Sequence, residues 1–143
     1  MPQLRRFLAL ALLAFATPLA AGQLTSGDLT LHYSALLTTS LTAEVARQYG
    51  ITRSGNRVLL NIALRRAVAD ADVAVAADVR ASATNSAGQR QEIRLREVRE
   101  GDAIYYLGEA RVNDGETLGF EIEARVDDRP LQVRFQQQFF APR

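Results

Sequence analysis

Leu118-Gly119-Phe120-Glu121-Ile122-Glu123-Ala124-Arg125-Val126 alternates apolar or small residues with polar ones. A period of two is the repeat of an extended chain, so this segment reads as a strand with one dry and one wet face. Turn-forming residues bound it on both sides, Asn113-Asp114-Gly115 before it and Asp127-Asp128-Arg129-Pro130 after it. A three-residue loop with Gly115 in the left-handed conformation puts Ile104, Tyr106, Gly108 and Ala110 on the apolar face of the preceding strand. A two-residue loop would put Glu109 and Arg111 there instead, so the three-residue loop is expected. It sets Gly108 across from Phe120, whose ring would then lie over bare backbone. The later turn brings Val133 opposite Ala124, Phe135 opposite Ile122 and Phe139 opposite Leu118. Ala103 to Phe140 therefore reads as three consecutive strands of one sheet, with Gln137 as the one polar residue on its dry face, opposite Phe120. An unmade buried hydrogen bond costs about 1–3 kcal/mol, so Gln137 needs partners, either nearby backbone or a ligand that it reads.

Upstream, Leu29, Leu31, Tyr33 and Ala35 alternate with Thr30, His32 and Ser34 as a first strand. One convincing helix follows at Ala43–Tyr49, with Thr42 as N-cap, Glu44 in the first turn and Gly50 just past the end. A helix of two turns is marginal alone, so Val45, Ala46 and Tyr49 are expected to hold it by packing. Arg57 to Arg66 is apolar on both faces (Val58, Leu60, Ile62, Leu64 and Leu59, Ala63), which predicts a central strand covered on its second side by the helix, with Asn61 beneath the cover. Ala67–Asp72 reads as a loop, Val73–Thr84 as a strand with Val73, Val75, Ala77 and Val79 inward, and Arg90–Val98 as another, before a turn at Glu100-Gly101-Asp102. About seven short strands separated by turn signals predict an all-β fold, a small antiparallel immunoglobulin-like β-sandwich with one short helix.

Met1–Gly22 reads as a cleavable export signal: Arg5-Arg6, an apolar run from Phe7 to Ala16, then small residues up to Ala21-Gly22. The run is too short for a stable membrane span, so no membrane insertion is expected after cleavage. Residues 23–143 then form one domain, and the expected location is the periplasm. Removing Arg5 and Arg6 from 17 basic residues, against 16 acidic ones, leaves the mature domain with one net negative charge. Every basic residue is Arg, and Arg90, Arg94, Arg96 and Arg99 interleave with Glu92, Glu97 and Glu100. That is a self-paired strand face; nucleic acid, which requires a net basic patch, is not an expected partner. The chain has no cysteine, and its one methionine is Met1. This removes thiol catalysis, disulfides and thiolate or thioether metal ligation, and no cofactor is expected.

Candidate chemistry is sparse. His32 is the single histidine. Ser34, two residues away on the same strand face, makes a poor nucleophile for it because no orienting carboxylate is evident. Glu121 and Glu123 stand about 7 Å apart on one face, a separation compatible with paired-carboxylate glycosidase chemistry. An ordinary cross-strand ion pair of Glu123 with Arg134, beside Tyr105, is the expected arrangement. Asp70-x-Asp72 and Asp127-Asp128 lack the ligand series of a calcium loop, and no phosphate loop or nucleophile elbow occurs. No catalytic residue is assigned. The best binding candidates gather where the helix meets the first strands: His32, Thr38, Thr39, Arg53, Arg57 and Asn61, with Gln137 separate from them. Two readings follow. One is a binding or assembly-accessory module for an envelope protein, working through that patch or a strand edge. The other is a small-ligand carrier or weak hydrolase with a pocket of about 300 Å³ or more between the sheets near Gly108, Phe120 and Gln137.

The ordered motifs His32-Tyr33, Thr38-Thr39, Val45-Ala46, Tyr49-Gly50-Ile51, Arg53-Ser54, Asn56-Arg57 and Leu60-Asn61 resemble a bacterial family, the one catalogued as domain of unknown function 4426. Gly88-Gln89, Ala103-Ile104-Tyr105-Tyr106-Leu107, Glu116-Thr117, Arg129-Pro130 and Val133 to Phe139 continue the resemblance over nearly all of the mature chain. It implies an exported single-domain protein of proteobacteria, and it supplies no activity, substrate or catalytic residue.

Overall fold

The computed structural model describes residues 21–142, so of the expected export signal only Ala21 and Gly22 fall within the described residues. Among the described residues ten strands are present: β1 (Ala21–Ser26), β2 (Leu29–Leu37), β3 (Arg57–Val68), β4 (Ala71–Ala74), β5 (Asp78–Asn85), β6 (Arg90–Ile93), β7 (Arg96–Glu100), β8 (Ala103–Arg111), β9 (Thr117–Val126) and β10 (Arg129–Gln138). They form an antiparallel sandwich. Sheet A runs β1-β2-β3-β8-β7, with β4 pairing on β3 past the end of β8, and sheet B runs β10-β9-β5-β6. The strands alternate as read, and their apolar faces meet: Leu29, Leu31 and Ala35 of β2 and Val58, Leu60, Ile62 and Leu64 of β3 pack with Ala81, Ala83, Ile93, Leu118, Phe120, Ile122 and Ala124 of sheet B. Phe120 sits in the middle, stacked on Phe135 at 4.8 Å and meeting Phe139 edge-on at 6.2 Å.

Ten strands replace the expected seven for three reasons. Ala21–Ser26 is a strand paired to β2. Val73–Thr84 is not one strand: β4 ends at Ala74 in sheet A and β5 begins at Asp78 in sheet B, and Val73 is exposed rather than inward. Ala67–Asp72 is not a loop, since Val68 pairs with Ala71 around a two-residue turn where Ala69 takes a φ of 53°. Arg90–Val98 is two strands, because the chain leaves sheet B after Ile93 and joins sheet A at Arg96.

The largest correction concerns Ala103–Phe140, whose strands do not share a sheet. β8 pairs with β3 and β7, whereas β9 pairs with β5 and β10, so the Gly115 turn carries the chain from one sheet to the other. Gly115 does adopt the positive φ expected of it, 78°. Gly108 consequently does not lie across from Phe120 in a ladder. A side chain there would meet Ile93 Cγ2 at 2.5 Å and the Arg94 carbonyl oxygen at 2.7 Å, so its glycine lets the β6–β7 crossing pass close over β8. The aromatic-over-glycine contact occurs elsewhere, where the Tyr33 ring covers Gly22, its ladder partner. The β9–β10 register is shifted by two residues from expectation, so Val133 pairs with Ile122, Phe135 with Phe120 and Gln137 with Leu118. The turn explains the shift: Asp127 and Asp128 both take positive φ, 47° and 65°, and close a two-residue hairpin of the type whose twist matches paired strands. Glu121, not Glu123, therefore lies opposite Arg134, and Tyr105 is in the other sheet.

The outer face of β3 is covered by the helix as expected at Leu59, whereas Asn61, expected beneath the cover, lies at its border. After a 3₁₀ turn at Thr38–Ser40, helix α1 (Ala43–Gln48) begins at Thr42, whose hydroxyl accepts the Val45 N–H at 3.1 Å, and it ends before Gly50 at a φ of 66°. Its Val45 and Ala46, with Leu41, Tyr49 and Ile51, pack on Leu36, Leu59 and Leu107 of sheet A as a second small core.

At the opposite end, charged groups tie the two sheets together. Arg129, just after the β9–β10 turn, donates to Asp28 Oδ1 at 2.5 Å and to the Ser26 carbonyl at 2.9 Å in the β1–β2 turn. Arg66 of β3 bridges Asp28 at 3.4 Å and Asp127 at 2.7 Å. The Arg129 hydrogen bond, helped by the nearby charge of Arg66, holds the Asp28 carboxyl below its ordinary range against a smaller opposing effect of desolvation. A depressed folded-state pKa adds stability above the unfolded pKa of about 3.9, and that stability is lost as pH falls through the folded value. Asp28→Asn is therefore expected to lower Tm at pH 7, and the gap from the parent should close as pH falls from about 4 towards 2. Melting curves across that range test this, and a gap independent of pH would mean that the contact carries no linked proton.

Candidate functional site

Strand order decides which candidate side chains meet. On the outer face of sheet A the β1-β2-β3-β8 pairing aligns Gln23 with His32 and His32 with Ala63, and it aligns Ser34 with Asn61 and Asn61 with Leu107. Extending the β3–β8 register by one residue beyond Ile62 and Tyr106 sets Tyr105 beside Ala63. α1 covers Leu36, Leu59 and Leu107 at one end of this face and stops there. Beyond it is a continuous patch in which His32 and Tyr105 flank the small Ala63, Tyr105 packing at the same time against the edge of the helix core, with Ser34 and Asn61 on the helix side and Arg65 on the other. All six residues are half-buried.

The electrostatics of the patch are mixed. Arg65 donates to the Asp72 carbonyl at 2.7 Å and lies 3.4 Å from its carboxylate. Burial, followed by the nearby charge of Glu100, pushes the Tyr105 hydroxyl up to about 12, so it is a neutral donor at any physiological pH. Glu100 itself fastens the helix end, accepting from the Tyr49 hydroxyl at 3.0 Å and from Gln48 at 3.1 Å, and burial raises the Tyr49 hydroxyl as well. Asn61 Oδ1 is buried and has no hydrogen-bond partner. Such an atom costs about 1–3 kcal/mol unless something donates to it.

The other sequence candidates separate from this group. Thr38 is fully buried, and its hydroxyl donates to the Ser54 carbonyl at 3.0 Å and accepts the Ser54 N–H at 2.7 Å, clamping the two ends of the α1 excursion. Arg53 reinforces that clamp by donating to the Thr39 carbonyl at 3.0 Å, while the Thr39 hydroxyl is itself buried without a partner. Arg57 stands at the far end of β3, 3.8 Å from Glu109 Oε1, a charge contact longer than a hydrogen bond. Gln137 belongs to sheet B, on the inner face of β10, with Oε1 buried and unpartnered. Sequence reading set Ser34 beside His32 but missed Arg65 and Tyr105 as companions of His32 and Asn61. Ser34 shares the face of His32 by simple alternation and was legible, but Tyr105 joins only through the β3–β8 pairing.

Around Phe120 and Gly108, where the carrier reading needs space, neighbouring groups pack closely. Phe120 is packed by Phe135 and Phe139, and Gly108 is covered by Ile93, Arg94 and Leu95. Shallow clefts of about 340 and 250 Å³ lie outside sheet B along Arg80 and Glu123, and one of about 390 Å³ lies at the end near Gln91 and Arg111; none is lined by Gly108, Phe120 or Gln137. Glu121 is flanked by Arg134 at 3.4 Å and Arg90 at 4.0 Å, an ion-paired surface carboxylate.

A two-sheet sandwich closed over an aromatic core, with one short helix laid on an outer face, is an immunoglobulin-like β-sandwich domain. The chain belongs to the domain of unknown function 4426 family, whose model matches residues 23–142. The crystal structure of a member from Pseudomonas aeruginosa superposes with a TM-score of 0.71 at 25% identity, over 89% of this chain and 100% of that one. FetP of uropathogenic Escherichia coli, expressed in the periplasm of E. coli, shares the fold with a TM-score of 0.60 at 13% identity, over 87% of this chain and 96% of that one. A copper-bound variant of FetP gives 0.59 at 13% identity, over 86% and 97%. No curated protein matches the chain. Among the described residues no helix is long and apolar enough to cross a membrane.

Proposed function

We propose that this protein is an exported binding or assembly-accessory module that recognises an envelope protein through the uncovered half of the outer face of sheet A. The observation that carries this reading is the patch itself. α1 stops short, leaving His32, Ser34, Asn61 and Arg65 around Ala63, with Tyr105 between that patch and the helix core and a buried amide oxygen of Asn61 still without a donor. Tyr and Arg are the residue types that anchor protein interfaces, and an incoming donor that satisfies Asn61 contributes specificity as well as affinity. Export is supported by the Met1–Gly22 pattern and agrees with the periplasmic expression of the fold relative FetP. The copper bound by the FetP variant is a property of that protein. This chain has one histidine, no cysteine and no methionine after Met1, and among the described residues no three His, Cys, Asp or Glu side chains converge.

Affinity capture of the protein from a lightly crosslinked envelope fraction tests the reading. A specific envelope protein is expected to be retained, to fall about tenfold or more with Tyr105→Ala and Asn61→Ala, as for the loss of an interface anchor, and to be unaffected by Arg80→Ala on the outside of sheet B. Retention of the same proteins by all variants would contradict it.

A further inference from the structure

The two edges on one side of the sandwich differ from those on the other. β6 and β7, the far edges of the two sheets, are four and five residues long. On the near side β1 is six residues long, while β10 runs for ten and pairs, among the described residues, with β9 alone. Proteins usually blunt such edges with short strands, prolines or inward-pointing charges. The one proline of β10, Pro130, lies beside the turn, and its inward residues Leu131, Val133, Phe135 and Gln137 carry no charge. Beyond its end Phe140 is 65% exposed, the most exposed large apolar side chain among the described residues.

The ladder says which backbone groups are free. Val126 and Arg129 close a two-residue hairpin and therefore form a hydrogen-bonded pair. Alternation from that pair directs the backbone of Leu131, Val133, Phe135 and Gln137 at β9. The N–H and C=O groups of Gln132, Arg134, Gln136 and Gln138 then point away from β9, and their side chains stand on the wet face. The Phe139 N–H, which donates to the Glu116 carbonyl, continues the same parity.

Charge selects the occupant. β10 has two arginines and no acid. Arg129 is engaged with Asp28 and Ser26, whereas the Arg134 side chain is 70% exposed and on its closed side faces Glu121 at 3.4 Å. An added strand that places an acid beside Arg134 repeats that arrangement. A second copy of β10 has no acid to offer. We infer that the free edge of β10 takes up an extended segment of a partner protein that alternates apolar residues, facing the sandwich, with acidic residues on the wet face. This surface is distinct from the patch around Ala63, and the two proposals stand or fall separately.

A capped peptide with the sequence of Thr117–Val126, which has the required alternation, serves as the probe, titrated into the purified protein and followed by amide chemical shifts. The largest shifts are expected at Gln132, Arg134 and Gln136. Gln136→Pro removes an outward N–H and no bond to β9, so it should weaken binding about tenfold or more while the melting temperature stays close to that of the parent. Arg134→Glu should weaken binding as well, and a peptide with both acids replaced by arginine should recover it. Unchanged affinity in Gln136→Pro, shifts confined to other strands, or no binding at millimolar peptide would overturn the inference. So would a dimer in sedimentation that Gln136→Pro dissolves, since the edge would then belong to a second copy.

Discussion

Phe120→Ala is expected to destabilise the domain by about 3–5 kcal/mol, the range for a buried aromatic truncated in a core that cannot collapse around it. Phe120 is 1% exposed and touches the parts on which the sandwich depends. It pairs with Ala83 of β5 and Phe135 of β10 within sheet B, stacks on Phe135, and meets Phe139 edge-on. Phe135 in turn stacks on Tyr33 of sheet A at 4.6 Å, so the aromatic row spans both sheets. With no disulfide available, loss on this scale is a large share of the roughly 5–15 kcal/mol that holds a domain together. Urea denaturation checks it: the midpoint should fall with little change in slope, and Phe120→Leu should lose roughly a third as much. A loss under about 1 kcal/mol for Phe120→Ala would mean that the row is not the centre of the core.

Gly108→Ala is the second large effect, and its cause differs. The added methyl would lie 2.5 Å from Ile93 Cγ2, 2.7 Å from the Arg94 carbonyl oxygen and 3.0 Å from Leu95 Cδ2. A side chain can turn aside, but the Arg94 carbonyl is backbone in the crossing between sheets and must move as a unit. Overpacking of this kind costs about 1–3 kcal/mol, and a backbone obstacle places it at the upper end. Gly119→Ala is the control, since its methyl would find only ordinary contacts at 3.7 and 3.9 Å. It is expected to be neutral or slightly stabilising, because strand glycine carries an entropy cost. Equal melting temperatures for the two variants would contradict the position of the β6–β7 crossing.

Those two residues also mark how far the sequence could be read. The alternation around Phe120 specified a half-buried strand, and the two apolar faces of Arg57–Arg66 specified a central strand under a helix, because burial leaves its period in the residues themselves. Thr42 and Gly50 marked the helix ends by local chemistry. Gly108 shows the limit. Ile104, Tyr106, Gly108 and Ala110 face inward in either sheet, so alternation gives β8 a face and says nothing about which sheet supplies its neighbours. The β6–β7 break did leave a trace. Glu97 and Arg99 continue the inward parity of Ile93 and Leu95 and pair with each other at the rim, which a strand still crossing the core would not tolerate. The β9–β10 register turned on Asp127 and Asp128 both adopting positive φ, where the turn was expected to extend over Asp127-Asp128-Arg129-Pro130.

The candidate site was legible in the same partial way. His32 and Asn61 stood out as polar residues on strands with apolar neighbours, and the fold brings them onto one face. Thr38 and Arg53 were conspicuous for another reason: they clamp the connection that carries α1. Tyr105 lies 73 positions from His32 in the chain, and only the β2-β3-β8 order places it across Ala63 from that residue.

Site-specific photocrosslinking in cells locates the binding surface, with the reactive side chain placed at Ala63, in the middle of the proposed patch, or at Arg80, on the outside of sheet B. One envelope protein is expected to be captured from position 63, to be absent from position 80, and to be lost from position 63 when Asn61→Ala is added. The same products from both positions, or a partner captured from position 80 alone, would contradict this placement and move the binding surface to the other sheet.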